Sequence, residues 1–271
     1  MRFKLFKYIR FFDYYLSIIA KRLGGKSVIE PEKNGEYTVL ENIVKLKKDQ
    51  SSFYFVDGGA NVGNHIKRFD SSCKKFNVKN PSIFAVEPFP DTISVLTKNL
   101  EQMKYKLIKA ALGEIDGQTS FYSEPESKTS GQNSTINHYY LSKKIDVDAI
   151  TLDTLVSQEG IDHIDFLKLD IEGAEYRALS GARSTLEKGK IDYIQLEYNQ
   201  TWIEGGGTIA KILDLCNQYG YSLYRIRSSD LLSIPSYHFT LDDFVFCNYL
   251  LIKNGCKLPL PCHRKASPIL S

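Results

Sequence analysis

Residues 53–63 read FYFVDGGANVG, and this stretch decides the fold. An apolar strand leads into Asp57, and a turn of small residues follows, built around Gly59, Asn61 and Gly63. Small residues let the backbone approach a ligand closely, and asparagine tolerates the left-handed conformation better than most side chains. Because a carboxylate beside the turn would repel a phosphate, the turn favours a ligand with cationic groups.

A second acidic residue closes the next predicted strand. Residues 82–86 read SIFAV, and Glu87 follows them directly. In a βαβ nucleotide-binding unit, a carboxylate at this point accepts hydrogen bonds from the ribose hydroxyls. Ribose recognition at Glu87 and a cationic group near Asp57 together indicate S-adenosylmethionine (SAM). The alternative is an ordinary glycine-rich turn followed by a surface glutamate.

Three further motifs, together with DGGANVG, carry a family resemblance. They are AALGEIDG at 110–117, TLDTL at 151–155 and IDFLKLDIEGAE at 164–175. In this order and spacing the motifs resemble the FkbM-type family of SAM-dependent methyltransferases, over roughly residues 53–200. The resemblance implies a class I methyltransferase fold and methylation of a hydroxyl on a sugar, a glycan or a small metabolite. Carried over by motif, the cofactor-binding residues are Asp57, Gly59, Asn61, Gly63 and Glu87.

Strands alternate with helices along residues 51–254, which predicts one doubly wound α/β domain of the Rossmann-like class. Seven predicted strands form a mostly parallel sheet, and the last two, at 221–227 and 244–253, pair antiparallel. The alternation of strands and helices is interrupted at residues 119–150, where two predicted strands flank a long polar loop. Long polar loops in compact domains are often functional, so this stretch predicts a β insertion over the site.

The two ends of the chain are predicted to lie outside the methyltransferase domain. Residues 1–50 form an N-terminal helical extension, and residues 255–271, which contain prolines and few apolar side chains, form a disordered tail. A narrow polar stripe in an apolar and aromatic helix marks residues 3–21. Such a helix packs on the domain or on a partner subunit, or it lies in a membrane interface; packing is the favoured interpretation.

Charge is unevenly distributed along the chain, although the net charge is only +3. The first 48 residues carry +6 and residues 253–271 carry +4, so the middle of the chain carries −7. An acidic body argues against a nucleic-acid groove across the site. We therefore expect a small-molecule or glycan partner and no nucleic acid.

Five cysteines are present, with no CxxC pair, which predicts free thiols in a reducing compartment. A cytoplasmic location follows, with membrane association as an alternative through the N-terminal helix. No group of Asp, Glu and His residues has the spacing of metal ligands, so the sequence predicts a metal-independent protein.

Methyl transfer to a hydroxyl requires alignment of the reactants and a group that takes the hydroxyl proton. In FLKLDIEG, Lys168 and Asp170 share one face of a strand, and Glu172 follows in the turn. Asp170 is the first candidate to orient or deprotonate the acceptor, and Glu172 is the second. The alternative is an ion pair of Lys168 with a carboxylate that only fixes the turn.

Two residues near the fifth strand have open roles. Glu197 faces the substrate or pairs with Lys168 on the neighbouring strand. Trp202, the only tryptophan, is a candidate platform for a sugar ring, although a core position is the default for tryptophan.

Two other functions compete with methyl transfer. An NAD-dependent oxidoreductase uses a similar βαβ unit, but GGANVG is not G-x-G-x-x-G, and Asp57 stands where a pyrophosphate would approach. A non-catalytic interaction protein on the same fold is the third alternative.

Overall fold

A computed structural model of the 271-residue chain describes residues 29–124, 133–137, 141 and 143–264. The helix predicted over residues 3–21 lies outside these residues. Within the described ranges, strands and helices alternate through the part of the chain that the sequence assigned to one α/β domain.

Twelve strands are present in the described residues: β1 Phe53–Gly58, β2 Pro81–Val86, β3 Lys106–Ile108, β4 Ala111–Leu112, β5 Gly117–Ser123, β6 Lys143–Ile150, β7 Ile164–Leu169, β8 Ile191–Tyr198, β9 Tyr221–Ile226, β10 Leu231–Ile234, β11 Cys247–Lys253 and β12 Cys262–Arg264. Nine of them form the central sheet in the order β12-β10-β9-β11-β8-β7-β1-β2-β3. The other three form a small sheet in the order β4-β6-β5.

The five strands β3, β2, β1, β7 and β8 run parallel, and β11 lies antiparallel between β8 and β9. A doubly wound, mostly parallel sheet with a final antiparallel pair is therefore confirmed. The strand count was wrong, because β10 and β12 extend the sheet beyond the seven predicted strands. The strand predicted over 106–112 is split, since its second half turns away to pair with β6.

Helices cover both faces of the sheet: α1 Pro31–Asn34, α2 Glu36–Lys47, α3 Asn64–Phe76, α4 Pro90–Asn99, α5 Leu152–Gln158, α6 Glu175–Ser180, α7 Arg183–Glu187, α8 Trp202–Gly205 and α9 Ile209–Tyr219. Helix α5 was not predicted, although the Thr151 hydroxyl caps it by accepting from the Thr154 N–H at 3.1 Å. The helix expected over 174–186 is broken at Gly181 into α6 and α7. None of the helices in the described ranges is both long and apolar enough to cross a bilayer.

Both ends of the described chain contribute to the core. Helix α2 buries Val39, Leu40 and Ile43 against the sheet, so the described part of the N-terminal extension packs as part of the domain. The tail was predicted to be disordered from residue 255. Instead, β12 pairs with β10, and the Leu231 N–H donates to the Pro261 carbonyl at 2.8 Å. Because β10 offers a free strand edge, the tail gains ordered backbone hydrogen bonds without a large apolar face.

The predicted β insertion is confirmed as a hairpin, in which β5 and β6 pair antiparallel from Gly117 with Ala149 to Ser123 with Lys143. Ser134 forms a further bridge to Tyr122 in β5. This small sheet lies beside the carboxyl edge of the parallel strands and supplies one wall of the cavity found there.

Candidate active site

A cavity of about 490 Å³ opens at the carboxyl ends of the parallel strands. This volume falls within the usual range for small-molecule sites, and the position is typical of ligand sites in doubly wound sheets. Of the seven predicted site residues, five line the cavity: Gly59, Asn61, Glu87, Asp170 and Glu172.

The glycine turn packs directly against the turn after β7. Gly59 has φ +79°, and a Cβ at this position would lie 1.9 Å from the Asp170 carbonyl oxygen. Only glycine allows this approach. Asn61 also has a positive φ, of 45°, and its Oδ1 is buried without a hydrogen-bond partner in the described part of the chain. Asn61 therefore carries a buried, unpaired acceptor beside the cavity.

Gly63 serves the packing of α3 and does not line the cavity. Its φ is +88°, and an added Cβ would lie 2.9 Å from Leu96 Cδ1 and 3.0 Å from Leu100 Cδ2. The motif thus predicted a glycine requirement correctly. The reason that the structure gives for the requirement is a helix start pressed against α4, and the cofactor-binding role of Gly63 stays a prediction.

Asp57 also lies off the cavity wall, with 1% of its surface exposed. The register of the sheet places it opposite Lys168 of β7, whose Nζ is 3.8 Å from Oδ1. Neither oxygen accepts a hydrogen bond from the residues that the structure describes, and burial raises the pKa of this carboxyl. Asp57 therefore does not line the cavity but lies behind it, beside Lys168, and its role in cofactor binding stays a prediction.

Glu87 is a pre-oriented acceptor at the cavity. The Asn61 N–H donates to Oε2 and the Phe89 N–H donates to Oε1, each at 3.0 Å. Burial raises the pKa of Glu87 to about 7. Since each carboxylate oxygen can accept two hydrogen bonds, two acceptor positions remain for a pair of hydroxyls on a ligand.

Lys168 is fully buried in β7 and pairs with Asp170 at 2.8 Å. Burial alone would lower the pKa of this ammonium, but the charges of Asp170, Asp57 and Glu36 raise it. For Asp170, burial would raise the pKa, and the ion pair with Lys168 lowers it instead. Asp170 is thus held as a carboxylate, and the ion-pair interpretation is the one that the geometry favours.

Three carboxyl groups meet beside this ion pair, since oxygens of Asp170, Glu172 and Glu197 lie within 4.8 Å of one another. Burial and the charge of Asp170 raise the pKa of Glu172 to about 7. Burial and the charges of Asp170 and Glu172 raise the pKa of Glu197 well above its usual range. Glu197 also lines the cavity. The sequence spacing did not reveal this cluster, because its members come from the ends of two different strands. Metal independence stays a prediction.

The turn that carries Glu172 is held in an unusual conformation. Glu172 has φ +52°, rare for a residue with a Cβ. The buried Glu175 carboxyl accepts from the Ile171 and Gly173 N–H groups at 2.9 Å, and the Ser134 hydroxyl donates to the Glu172 carbonyl at 2.8 Å. Strain of this kind persists where several contacts over-determine the backbone, and it is frequent at active sites.

A second loop is locked onto this turn. A Cβ on Gly205 would lie 1.9 Å from the Gly173 carbonyl oxygen, and a Cβ on Gly173 would lie 2.5 Å from the Thr201 carbonyl oxygen. The Asn199 amide donates to Glu172 at 3.2 Å and to Glu197 at 2.8 Å. The two loops therefore position the acidic cluster as one unit.

Trp202 is part of the core, with 1% exposure and its indole N–H donating to the Glu197 carbonyl at 3.0 Å. It cannot stack on a sugar, so the platform interpretation was wrong. Glu36 at the start of α2 was missed by sequence reasoning: it lines the cavity and accepts from Asn248 at 2.6 Å and from His65 at 3.0 Å. No local sequence motif predicts Glu36 as a site residue, because its hydrogen-bond partners come from distant elements.

Comparison with known proteins identifies relatives. The family model described as "Methyltransferase FkbM domain" matches residues 57–223. A "2-O-methyltransferase NoeI" from Sinorhizobium fredii (strain NBRC 101917 / NGR234) is 26% identical over 174 residues, which are 59% of this chain and 69% of that protein.

Solved structures with a similar course of the chain have low sequence identity. The plantazolicin methyltransferase BamL, solved with a triazolic desmethylPZN analog and SAH, is 11% identical, with a TM-score of 0.47 over 89% of this chain and 90% of that one. A putative class I S-adenosylmethionine-dependent methyltransferase from Listeria monocytogenes is 10% identical, with a TM-score of 0.43. That match covers 85% of this chain and 64%, less than two thirds, of the Listeria chain.

The family model spans more than half of the chain and includes the glycine turn, Glu87, the insertion and the acidic turn. The resemblance and the fold class predicted from the motifs are confirmed. The chain belongs to the methyltransferase FkbM domain family.

Proposed function

We propose that this protein is a SAM-dependent O-methyltransferase. The observation that carries the proposal is Glu87, fixed by two backbone N–H groups with acceptor capacity left for two ribose hydroxyls. Gly59 keeps the adjoining wall free of side-chain atoms, and the unused Asn61 acceptor fits a polar group of the same ligand. Bound SAM supplies an electrophilic methyl group. The cofactor proposal is supported by membership of the family.

Glu172 is the residue that takes the acceptor proton. Its pKa of about 7 leaves a large part of the carboxyl ionised at neutral pH, the condition under which a general base works best. Asp170 is a poor proton acceptor, because the ion pair with Lys168 keeps its pKa low. Asp170 instead keeps a negative charge beside the reacting groups, and burial together with the neighbouring acids raises the pKa of Glu197 well above its usual range.

A hydroxyl of a sugar, a glycan or a small metabolite is the proposed acceptor. The printed name of the curated relative is that of a 2-O-methyltransferase, which supports oxygen as the methylated atom. The cavity lining includes Glu36, Glu87, Asp170, Glu172 and Glu197. A wall this acidic disfavours phosphate-rich acceptors, so nucleic acid is not expected as a substrate.

A methyl-transfer screen tests the function. Radiolabelled SAM is incubated with glycans, nucleotide sugars and small alcohols, and label transfer is measured for the wild type and for Glu172→Gln. We expect transfer to a neutral hydroxyl compound that drops at least a hundredfold in the variant. Calorimetry with S-adenosylhomocysteine (SAH) and NADH runs in parallel: binding of NADH without binding of SAH would favour the oxidoreductase.

Contact of residues 3–21 with a partner subunit or a membrane surface remains a separate proposal, as does the cytoplasmic location. Deletion of residues 1–25 followed by co-sedimentation with anionic liposomes tests the membrane interpretation. Equal binding by the full chain and the truncated chain would refute it.

A further inference from the structure

The Asn133 side chain belongs to the β insertion and has no assigned role in the candidate active site. Both its Nδ2 and its Oδ1 are buried and have no hydrogen-bond partner among the described residues. The residue lines the cavity. Buried amides of folded proteins are almost always hydrogen-bonded, so an unpaired amide on a ligand cavity points to a polar group of the ligand.

The position of Asn133 is fixed by its neighbour. The Ser134 hydroxyl donates to the carbonyls of Ile171 and Glu172, at 3.2 and 2.8 Å. The Ser134 backbone exchanges two hydrogen bonds with Tyr122 of β5, at 2.8 and 3.1 Å. The backbone that carries Asn133 is therefore held between the turn after β7 and the hairpin.

Part of the cavity wall is apolar. Val86, Ala111, Leu112, Phe121 and Leu141 line the same cavity, next to the ribose acceptor Glu87. A flat heteroaromatic base fits such a wall, but apolar side chains satisfy none of its edge groups. An asparagine amide offers a donor and an acceptor side by side, which matches the amino group and the adjacent ring nitrogen of adenine.

We propose that Asn133 recognises the adenine of the cofactor, with its Oδ1 accepting from the 6-amino group and its Nδ2 donating to a ring nitrogen. The assignment rests on the proposed function and adds a cofactor-binding residue that lies outside the glycine turn and the ribose carboxylate. The β insertion then takes part in cofactor binding as well as in shaping the cavity.

Calorimetry with two ligands tests the assignment without an acceptor. The ligands are SAH and its analogue that lacks the 6-amino group. For the wild type we expect SAH to bind about tenfold more tightly than the analogue, because the analogue leaves Oδ1 unpaired. For Asn133→Ala we expect weaker SAH binding and loss of the preference, so that both ligands bind equally.

Asn137→Ala is the matched control, since Asn137 lies in the same insertion and is exposed. Its affinities should equal those of the wild type, and thermal melting checks that each variant is folded. If Asn133→Ala keeps both the affinity for SAH and the preference over the analogue, Asn133 does not touch adenine and the assignment fails. If the wild type binds neither ligand, the proposed function itself fails, which is a different result.

Discussion

Binding of SAH should depend on the ionisation of Glu87. The ribose hydroxyls donate to a carboxylate, and a proton on Glu87 removes one of the acceptor positions and competes with them. The pKa of Glu87 is raised to about 7 by burial. Because binding favours the ionised form, affinity must fall as the pH falls through this value.

The size of the effect follows from the pKa. At pH 8 about nine tenths of the carboxyl is ionised, and at pH 6 about one tenth. The dissociation constant of SAH should therefore rise about tenfold between pH 8 and pH 6, or about 1.4 kcal/mol. Glu87→Gln should bind more weakly at pH 8, by about tenfold or more, and should lose the pH dependence.

Calorimetry between pH 6 and pH 8 measures both quantities. Glu172 also has a pKa of about 7 in this cavity, so the measurement is repeated in Glu172→Gln to remove its contribution. 5′-Methylthioadenosine, which carries the ribose without the charged amino-acid part, should show the same pH dependence. Constant affinity from pH 8 to pH 6, or a dependence that survives in Glu87→Gln, would refute the role of this carboxylate.

Three further predictions concern the glycine turn, the buried ion pair in β7 and the acidic turn that follows it. Gly59→Ala should lower the melting temperature markedly more than Gly160→Ala. Both glycines have positive φ, but of the two only Gly59 would bring a Cβ against backbone atoms. Equal decreases in melting temperature would contradict the packing argument. Lys168→Met should destabilise the fold by about 3–5 kcal/mol in urea unfolding, because it leaves buried carboxylates unpaired. Adding Asp170→Asn should recover part of that loss, and no recovery would exclude the ion pair as its cause. Glu172→Gln should lower turnover about 10²–10⁴-fold with SAH affinity at pH 8 unchanged, whereas loss of SAH binding would point to a cofactor role.

The glycine turn and the acid that follows β2 could be predicted because their chemistry is local. Gly59 and Asn61 adopt backbone conformations that few residue types allow, and Glu87 directly follows a strand. Each of the three can therefore be recognised from the residues next to it in the sequence. The alternation of strands and helices predicted the sheet for the same reason. Lys168 was also correctly singled out, since a lysine in a buried strand must find a counter-charge.

The residues that were missed or misplaced depend on contacts between distant elements. Glu36 meets His65 and Asn248 only after the sheet has formed, and Glu197 joins the acidic cluster from another strand. Asp57 is placed by the same kind of contact: its motif position implied a ligand contact, and the strand register sets it beside Lys168 behind the cavity. Pairing partners across a sheet are not encoded in local spacing.

The contact between Gly173 and Gly205 limits how this site can diversify. With backbone pressed on backbone at both glycines, neither loop can shift or gain a side chain there without moving Glu172 and Glu197. Relatives that accept other substrates should therefore keep this part of the scaffold and vary the hairpin between β5 and β6, which borders the cavity through Phe121. Efforts to re-engineer acceptor preference should begin with substitutions in that hairpin.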